Sequence, residues 1–192
     1  NAATVAKHLA EKNQTEWSLG GSKKPAFLSD WRVESAKFST IKPMSALGGE
    51  VALFVTHRPH SILKPHLHHY LSSLRRMGIA VQLVIAADDF DAEVPRDLLT
   101  LVDGLVVREN KGYDFAAWAQ PLLLNPVLCE SRILYLLNDS LVGPFSAEAF
   151  ETLIGRIRSS SSDVIGLVHN YQVRWHLQSS FLALGARALK SR

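Results

Sequence analysis

ENKGYDFAAWAQPLLLNPVLCESRILYLLNDSLVGP, residues 109–144, is the stretch from which the fold can be read. It contains two polar clusters, Glu109-Asn110-Lys111-Gly112-Tyr113-Asp114 and Asn138-Asp139-Ser140. Each directly follows an apolar run of the kind that makes a strand buried on both faces of a parallel sheet. Both clusters are therefore expected at strand ends. In an open parallel α/β sheet the loops leaving the carboxyl ends of neighbouring strands share one edge, where ligands bind.

Working outward, Val51 to Thr56 is a continuous apolar run and predicts the first strand of that sheet, ending at Thr56-His57-Arg58-Pro59. Val81 to Ala86, Gly104 to Val107, Ile133 to Leu137, Asp163 to Val168 and Leu177 to Leu184 read as further strands. Between them, helical stripes are expected over Ser61 to Met77 with Gly78 as the stop, near Pro95 to Leu101, from Asp114 onward, and after Ser146. Asp114 and Ser146 are both placed to cap helices, and Pro121 is expected to kink or restart the helix it interrupts. This alternation predicts an α/β fold: a mainly parallel sheet with flanking helices and right-handed crossovers. Residues 1–49, broken by Gly20-Gly21, Pro25, Pro43 and Gly48-Gly49, read as an irregular N-terminal arm with a short helix over Ala2 to Glu11. Residues 50–192 read as the domain proper.

Sequence position alone then gathers a candidate ligand site at one rim: Thr56, His57, Asp88, Asn110, Lys111, Gly112, Asn138, Asp139 and Ser140 all end strands. Asp114 opens a helix there, and free N–H groups at such a start suit a phosphate or a polar sugar. Asp88 stands where an acidic side chain can bond a ribose or a base edge, although a solvated turn explains it equally well. His66 and His69 share a helical face and His68 points elsewhere, which reads as a surface face rather than a metal site. There is no G-x-x-x-x-G-K-[ST] loop and no G-x-G-x-x-G turn, which argues against a P-loop nucleotidase or a dinucleotide dehydrogenase.

The strings E-N-x-G-Y-D-F-x-A-W, L-L-N-D-S-x-x-G-P and H-L-Q-S-x-F-L (His176 to Leu182) together resemble the rhamnan synthesis protein F family, bacterial proteins linked to cell-surface polysaccharide assembly. The resemblance covers about Val51 to Ser191. It implies a GT-A-like, nucleotide-diphospho-sugar transferase architecture and an inverting glycosyltransferase. The donor would be a nucleotide-sugar, with a deoxyhexose such as rhamnose in view, and the acceptor a saccharide or lipid-linked saccharide. It also implies work in the cytoplasm at the inner face of the membrane. By the same resemblance Asn138, Asp139 and Ser140 lie at the diphosphate and donor sugar, and Asp139, His176 and Gln178 are the catalytic set. His176 reads as a base or second metal ligand, with a structural histidine as the alternative. The chain departs from the wider class in having one carboxylate, Asp139, where two acidic residues are usual. Asp139 with His176 is thus a weak site for Mn²⁺ or Mg²⁺, expected to take a metal only together with nucleotide. The alternative is a metal-free site in which Lys111 or Arg58 neutralises the leaving diphosphate.

Composition sets limits on these readings. With 192 residues and 47% hydrophobic side chains, one soluble globular domain with a substantial core is expected. The formal charge of +3 is spread over scattered basic pairs, which argues against nucleic acid as a partner. A phosphorylated substrate or peripheral contact with an anionic membrane needs only a local basic patch. The single Cys129 excludes an internal disulfide and reads as a packed hydrophobe. The chain begins without methionine and ends soon after an expected strand, as a piece of a longer protein would. Two rivals to a transferase remain at this level: a non-catalytic nucleotide-sugar or glycan-binding module, and an α/β hydrolase or phosphatase using Asp139, for which no nucleophile elbow is found.

Overall fold

The computed structural model describes residues 36–44, 49–59, 63–91, 93–172 and 174–190. The helix expected over Ala2 to Glu11 and most of the arm at 1–49 lie outside the described residues. Along the chain run β1 (Phe38–Lys42), β2 (Glu50–Arg58), α1 (Leu67–Arg76), β3 (Ala80–Ala87), α2 (Leu98–Leu101), β4 (Gly104–Glu109) and α3 (Tyr113–Leu124). A 3₁₀ turn at Pro126–Glu130 leads to β5 (Ile133–Asn138) and α4 (Ala147–Ser159). Then come β6 (Val164–Gly166), β7 (His169–Asn170), β8 (His176–Leu177), β9 (Phe181–Gly185) and α5 (Ala186–Lys190).

Seven strands form one sheet in the order β1-β4-β3-β2-β5-β9-β6. Its centre, β4-β3-β2-β5, is parallel, as the apolar runs predict. The flanks are not. β1 joins β4 antiparallel, and β9 joins both β5 and β6 antiparallel. Three expectations are corrected here. Phe38–Lys42, assigned to the irregular arm, is an edge strand whose half-buried, partly polar residues suit a position covered on one side only. Asp163 to Val168 shortens to a three-residue strand that never meets the parallel core directly. Leu177 to Leu184 divides at Ser179-Ser180 into β8, which pairs with β7 in a separate ribbon, and β9, which enters the sheet.

Both faces of the sheet are covered. Along β2 every residue but His57 is buried, and alternate side chains feed two cores. Phe54 packs with Tyr70, Leu71, Phe150 and Ile154 from α1 and α4, Phe54 and Tyr70 meeting edge to face at 5.0 Å. Val51, Leu53 and Val55 pack with Ala117 and Trp118 from α3 on the other face. Each such apolar side chain contributes about 1.5–3 kcal/mol by leaving water. The change of face between α1 and α3 is what right-handed crossovers running in opposite directions along a sheet require.

Helix ends largely follow local chemistry. Gly78, at φ 72°, stops α1 as expected, and Ser146 accepts from the Ala149 N–H at 3.2 Å to start α4. Helix α1 begins only at Leu67, after Pro65, rather than at Ser61. Helix α3 runs unbroken through Pro121 instead of restarting there, because Ala117, Trp118 and Pro121 are buried and tertiary packing outweighs one missing N–H bond. Asp114 does not cap α3: Gly112 holds that position in the left-handed conformation (φ 76°), leaving the Asp114 carboxylate for another contact. At the amino ends of the strands, the 3% exposed side chain of Glu50 accepts from Arg158, Arg132 and the Tyr135 hydroxyl. Among the described residues no helix is long and apolar enough to cross a membrane.

Candidate functional site

The register brings the carboxyl ends of the parallel strands level. Val55 of β2 stands opposite Asn138 of β5, Arg58 opposite Ala87 of β3, and Ala87 opposite Glu109 of β4. Beyond β2 the chain departs into α1 on one face, and β5 is reached from α3 on the other. The crevice outside β2 and β5 is thus the point where strand order reverses, the usual ligand position of an open α/β sheet.

Asp139 lies in that crevice, 6% exposed. Its Oδ2 accepts from the Thr56 hydroxyl at 2.6 Å and its Oδ1 from the Lys64 ammonium at 2.8 Å. Lys64 also reaches the Asp139 main-chain oxygen at 3.2 Å, as does His66 Nε2. His69 Nε2 lies 2.7 Å from the Pro144 carbonyl. A carbonyl only accepts, so both imidazoles carry their proton on Nε2 in these contacts. The segment before α1 and the first turn of α1 are therefore clamped to the loop after β5 through Lys64, His66 and His69.

A second cluster spans β2, β3 and β4. His57 Nε2 lies 3.1 Å from both carboxylate oxygens of Asp88, and Asn110 Nδ2 donates to Asp88 Oδ1 at 2.9 Å. Asn110 Nδ2 is also 3.0 Å from His57 Nε2, but two donors converging on one carboxylate satisfy all three groups. Asp88 remains 44% exposed. A third contact explains Asp114: its Oδ2 accepts from Asn138 Nδ2 at 2.6 Å and from the Ser179 hydroxyl at 3.4 Å. Asn138 Oδ1 in turn takes the Ser140 N–H at 3.0 Å.

These side chains thus form three separately bonded groups at one rim: Thr56 with Asp139, His57 with Asp88 and Asn110, and Asp114 with Asn138, whose Oδ1 takes the Ser140 N–H. Lys111 faces the same edge, but its ammonium is bound to Glu109 at 2.8 Å. With the Lys37 N–H, that ammonium holds the Glu109 carboxyl below the usual carboxylate range. Arg58 is fully buried, donating to the main-chain oxygens of Glu93 and Asp89, and burial lowers its pKa. His176 and Gln178 lie on the β7–β8 ribbon and are bonded within it. His176 is exposed on β8, its Nδ1 donating to the Arg174 carbonyl at 2.9 Å, while the Gln178 N–H bonds Val168. Gly166 holds the base of this ribbon close to the sheet: a Cβ there would come within 2.9 Å of Leu177. Asp139 and His176 do not fit a divalent cation as arranged, because both Asp139 oxygens are engaged and the imidazole belongs to another ribbon. Among the described residues no three His, Cys, Asp or Glu side chains gather as metal ligands.

Lys64, His66 and Ser179 complete the site and were missed from the sequence. Lys64 is 75 positions from Asp139, and no spacing rule links them. Tyr113 was also passed over: it has φ 54°, uncommon for a bulky side chain, and is 77% exposed beside Gly112. Phe115 and Phe145, in the segments leaving β4 and β5, and Tyr171 and Trp175 in the β7–β8 ribbon are exposed as well, so the rim is rich in aromatic faces. A cleft of about 330 Å³ opens at the other end of the sheet beside Arg132, Arg158, Ser161 and Arg187. Its arginines are already paired, to Glu50 and Asp163, so the convergent polar chemistry lies at the carboxyl edge rather than in this cleft.

No protein-family model matches the chain, and no solved structure matches it. It is similar to the uncharacterized protein y4gN of Sinorhizobium fredii, with 30% identity over 157 residues. The match covers 77% of this chain and 38% of that protein, so the chain spans well under half the length of this relative.

Proposed function

We propose that this chain is a glycosyltransferase domain of GT-A type, related to the rhamnan synthesis proteins, that takes a sugar from a nucleotide-sugar. The acceptor is a growing surface polysaccharide or its lipid-linked precursor at the cytoplasmic face of the membrane. The observation that carries this reading is that the Thr56–Asp139 pair and Asn138, at the β2/β5 switch point, share one rim with the His57–Asp88–Asn110 cluster. The order β4-β3-β2-β5 matches the 3-2-1-4 portion of the doubly wound order common among nucleotide-binding sheets, which supports this reading.

In this reading Asp88, oriented by His57 and Asn110, accepts hydroxyl groups of the ribose or a base edge. The start of α3, held open by Gly112, presents free N–H groups to phosphate. The exposed aromatic faces of Tyr113, Tyr171 and Trp175 suit the apolar faces of sugar rings. With Nδ1–H bound to a carbonyl, His176 has Nε2 left to act as the proton acceptor for the attacking hydroxyl, and Gln178 lies on the same ribbon. The test is transfer: incubation with a panel of nucleotide-sugars and an oligosaccharide acceptor, with products followed by mass spectrometry. Asp88→Asn should weaken donor binding, and His176→Ala should reduce turnover at unchanged donor affinity. One observation favours a second reading, a nucleotide-sugar-binding module without turnover: the Asp139 carboxylate is buried and fully engaged. Saturable donor binding with no transfer to any acceptor would select it.

A further inference from the structure

The Lys64 ammonium covers the one carboxylate, Asp139, that could hold a divalent cation at this site. Its Nζ is 2.8 Å from Asp139 Oδ1 and 3.2 Å from the main-chain oxygen of the same residue, while Thr56 holds Oδ2 at 2.6 Å. A metal entering here must evict an ammonium already matched in charge to the single carboxylate. The pair is also oriented: the Asp139 side chain is 6% exposed and that of Lys64 is 40% exposed. An anion arriving from solvent meets the positive end first.

An ammonium carries three N–H donors. Among the described residues two of them go to Asp139, which leaves one for a ligand on the exposed side. His66 and His69 brace the same loop through the Asp139 and Pro144 carbonyls, so the ammonium is held on a fixed base rather than a mobile one. Of the other cations considered for this role, Arg58 is buried with its guanidinium on main-chain oxygens, and Lys111 is paired with Glu109 at the end of β4, away from the β2/β5 crevice.

We propose that Lys64 is the fixed cation of this site: Asp139 and Thr56 hold it, it binds the diphosphate of a nucleotide ligand, and that binding needs no metal. The ligand class rests on the function proposed above. Asp139 is then a positioning residue for Lys64 rather than a metal ligand.

The test is calorimetric titration of the protein with uridine, guanosine and thymidine diphosphates, in chelator and again in Mn²⁺ or Mg²⁺. At least one should bind in chelator with a Kd within about threefold of its value in metal. Losing a hydrogen bond from a charged donor should cost Lys64→Met about tenfold or more in chelator. Lys64→Arg, which keeps the charge, should stay within about threefold of the original protein by the same reasoning. Melting curves of both variants verify folding. If Lys64→Met does not fold, Lys64→Arg and the chelator comparison decide. Binding that appears only with metal overturns the inference and leaves the proposed function standing, as does chelator-resistant binding that Lys64→Met does not weaken. No binding of any diphosphate under either condition overturns the proposed function, and this inference with it.

Discussion

Replacing Asp139 by Asn keeps the volume and removes the charge, and the surroundings of Asp139 set the cost. Asn can still accept from one donor, and the Thr56 hydroxyl can rotate to accept from the new amide. The Lys64 ammonium loses its ionic partner. Breaking a fully buried pair costs about 3–5 kcal/mol, but Lys64 is 40% exposed and can recover water. The lost charge-assisted hydrogen bond, about 1.5–3 kcal/mol, is therefore the better guide, and about 2 kcal/mol is expected. For a chain of this size that lowers Tm by about 4–8 °C. Lys64→Met should cost more, because the carboxylate it strands is buried. The double variant should then be milder than the sum, leaving a coupling energy of about 1–2 kcal/mol. Urea unfolding of the four proteins measures this cycle. Coupling below about 0.5 kcal/mol would mean that the two side chains act independently, and the clamp between β2, α1 and the loop after β5 would be wrong.

Three further outcomes follow from other contacts. Glu50→Gln should lower stability by about 1.5–3 kcal/mol in urea unfolding, because it removes charge-assisted bonds from Arg158 and Arg132, which are exposed enough to recover water, while diphosphate binding at the far end of the sheet stays unchanged. Tyr113→Gly should not lower Tm: relief of a left-handed non-glycine residue, about 1–2 kcal/mol, offsets the backbone entropy of glycine, about 0.5–1 kcal/mol, so weaker ligand binding by this variant would reflect the lost aromatic face. The His68 hydrogen bond holds the Asp97 carboxyl below its ordinary range; its stabilisation is present above about pH 4 and lost as pH falls through the depressed folded value, so His68→Ala should flatten the acid limb of a stability–pH curve.

The parallel centre of the sheet was legible because its strands are buried on both faces. Val51 to Thr56 and Ile133 to Leu137 have no polar face to confuse with a helix, and the polar residues after them had to fall at one edge. That is why Thr56, His57, Asp88, Asn110, Asn138 and Asp139 could be gathered from sequence position before any contact was known. The flanking strands were less legible. β1 and β6 are short, half-exposed and defined by pairing partners far away in sequence, which no local pattern encodes.

The state of each polar group at that rim depends instead on long-range contacts. Local propensity makes Asp114 a helix cap, but Asn138 and Ser179 stand close enough to claim its carboxylate, and Gly112 takes over the turn. Likewise the sequence shows Asp139 as a lone carboxylate open to a cation. Folding brings up Lys64 from the segment before α1 and answers that charge from within the chain. A residue's type and its strand end follow from short-range periodicity; its partner depends on which distant segment the crossovers return to the same edge.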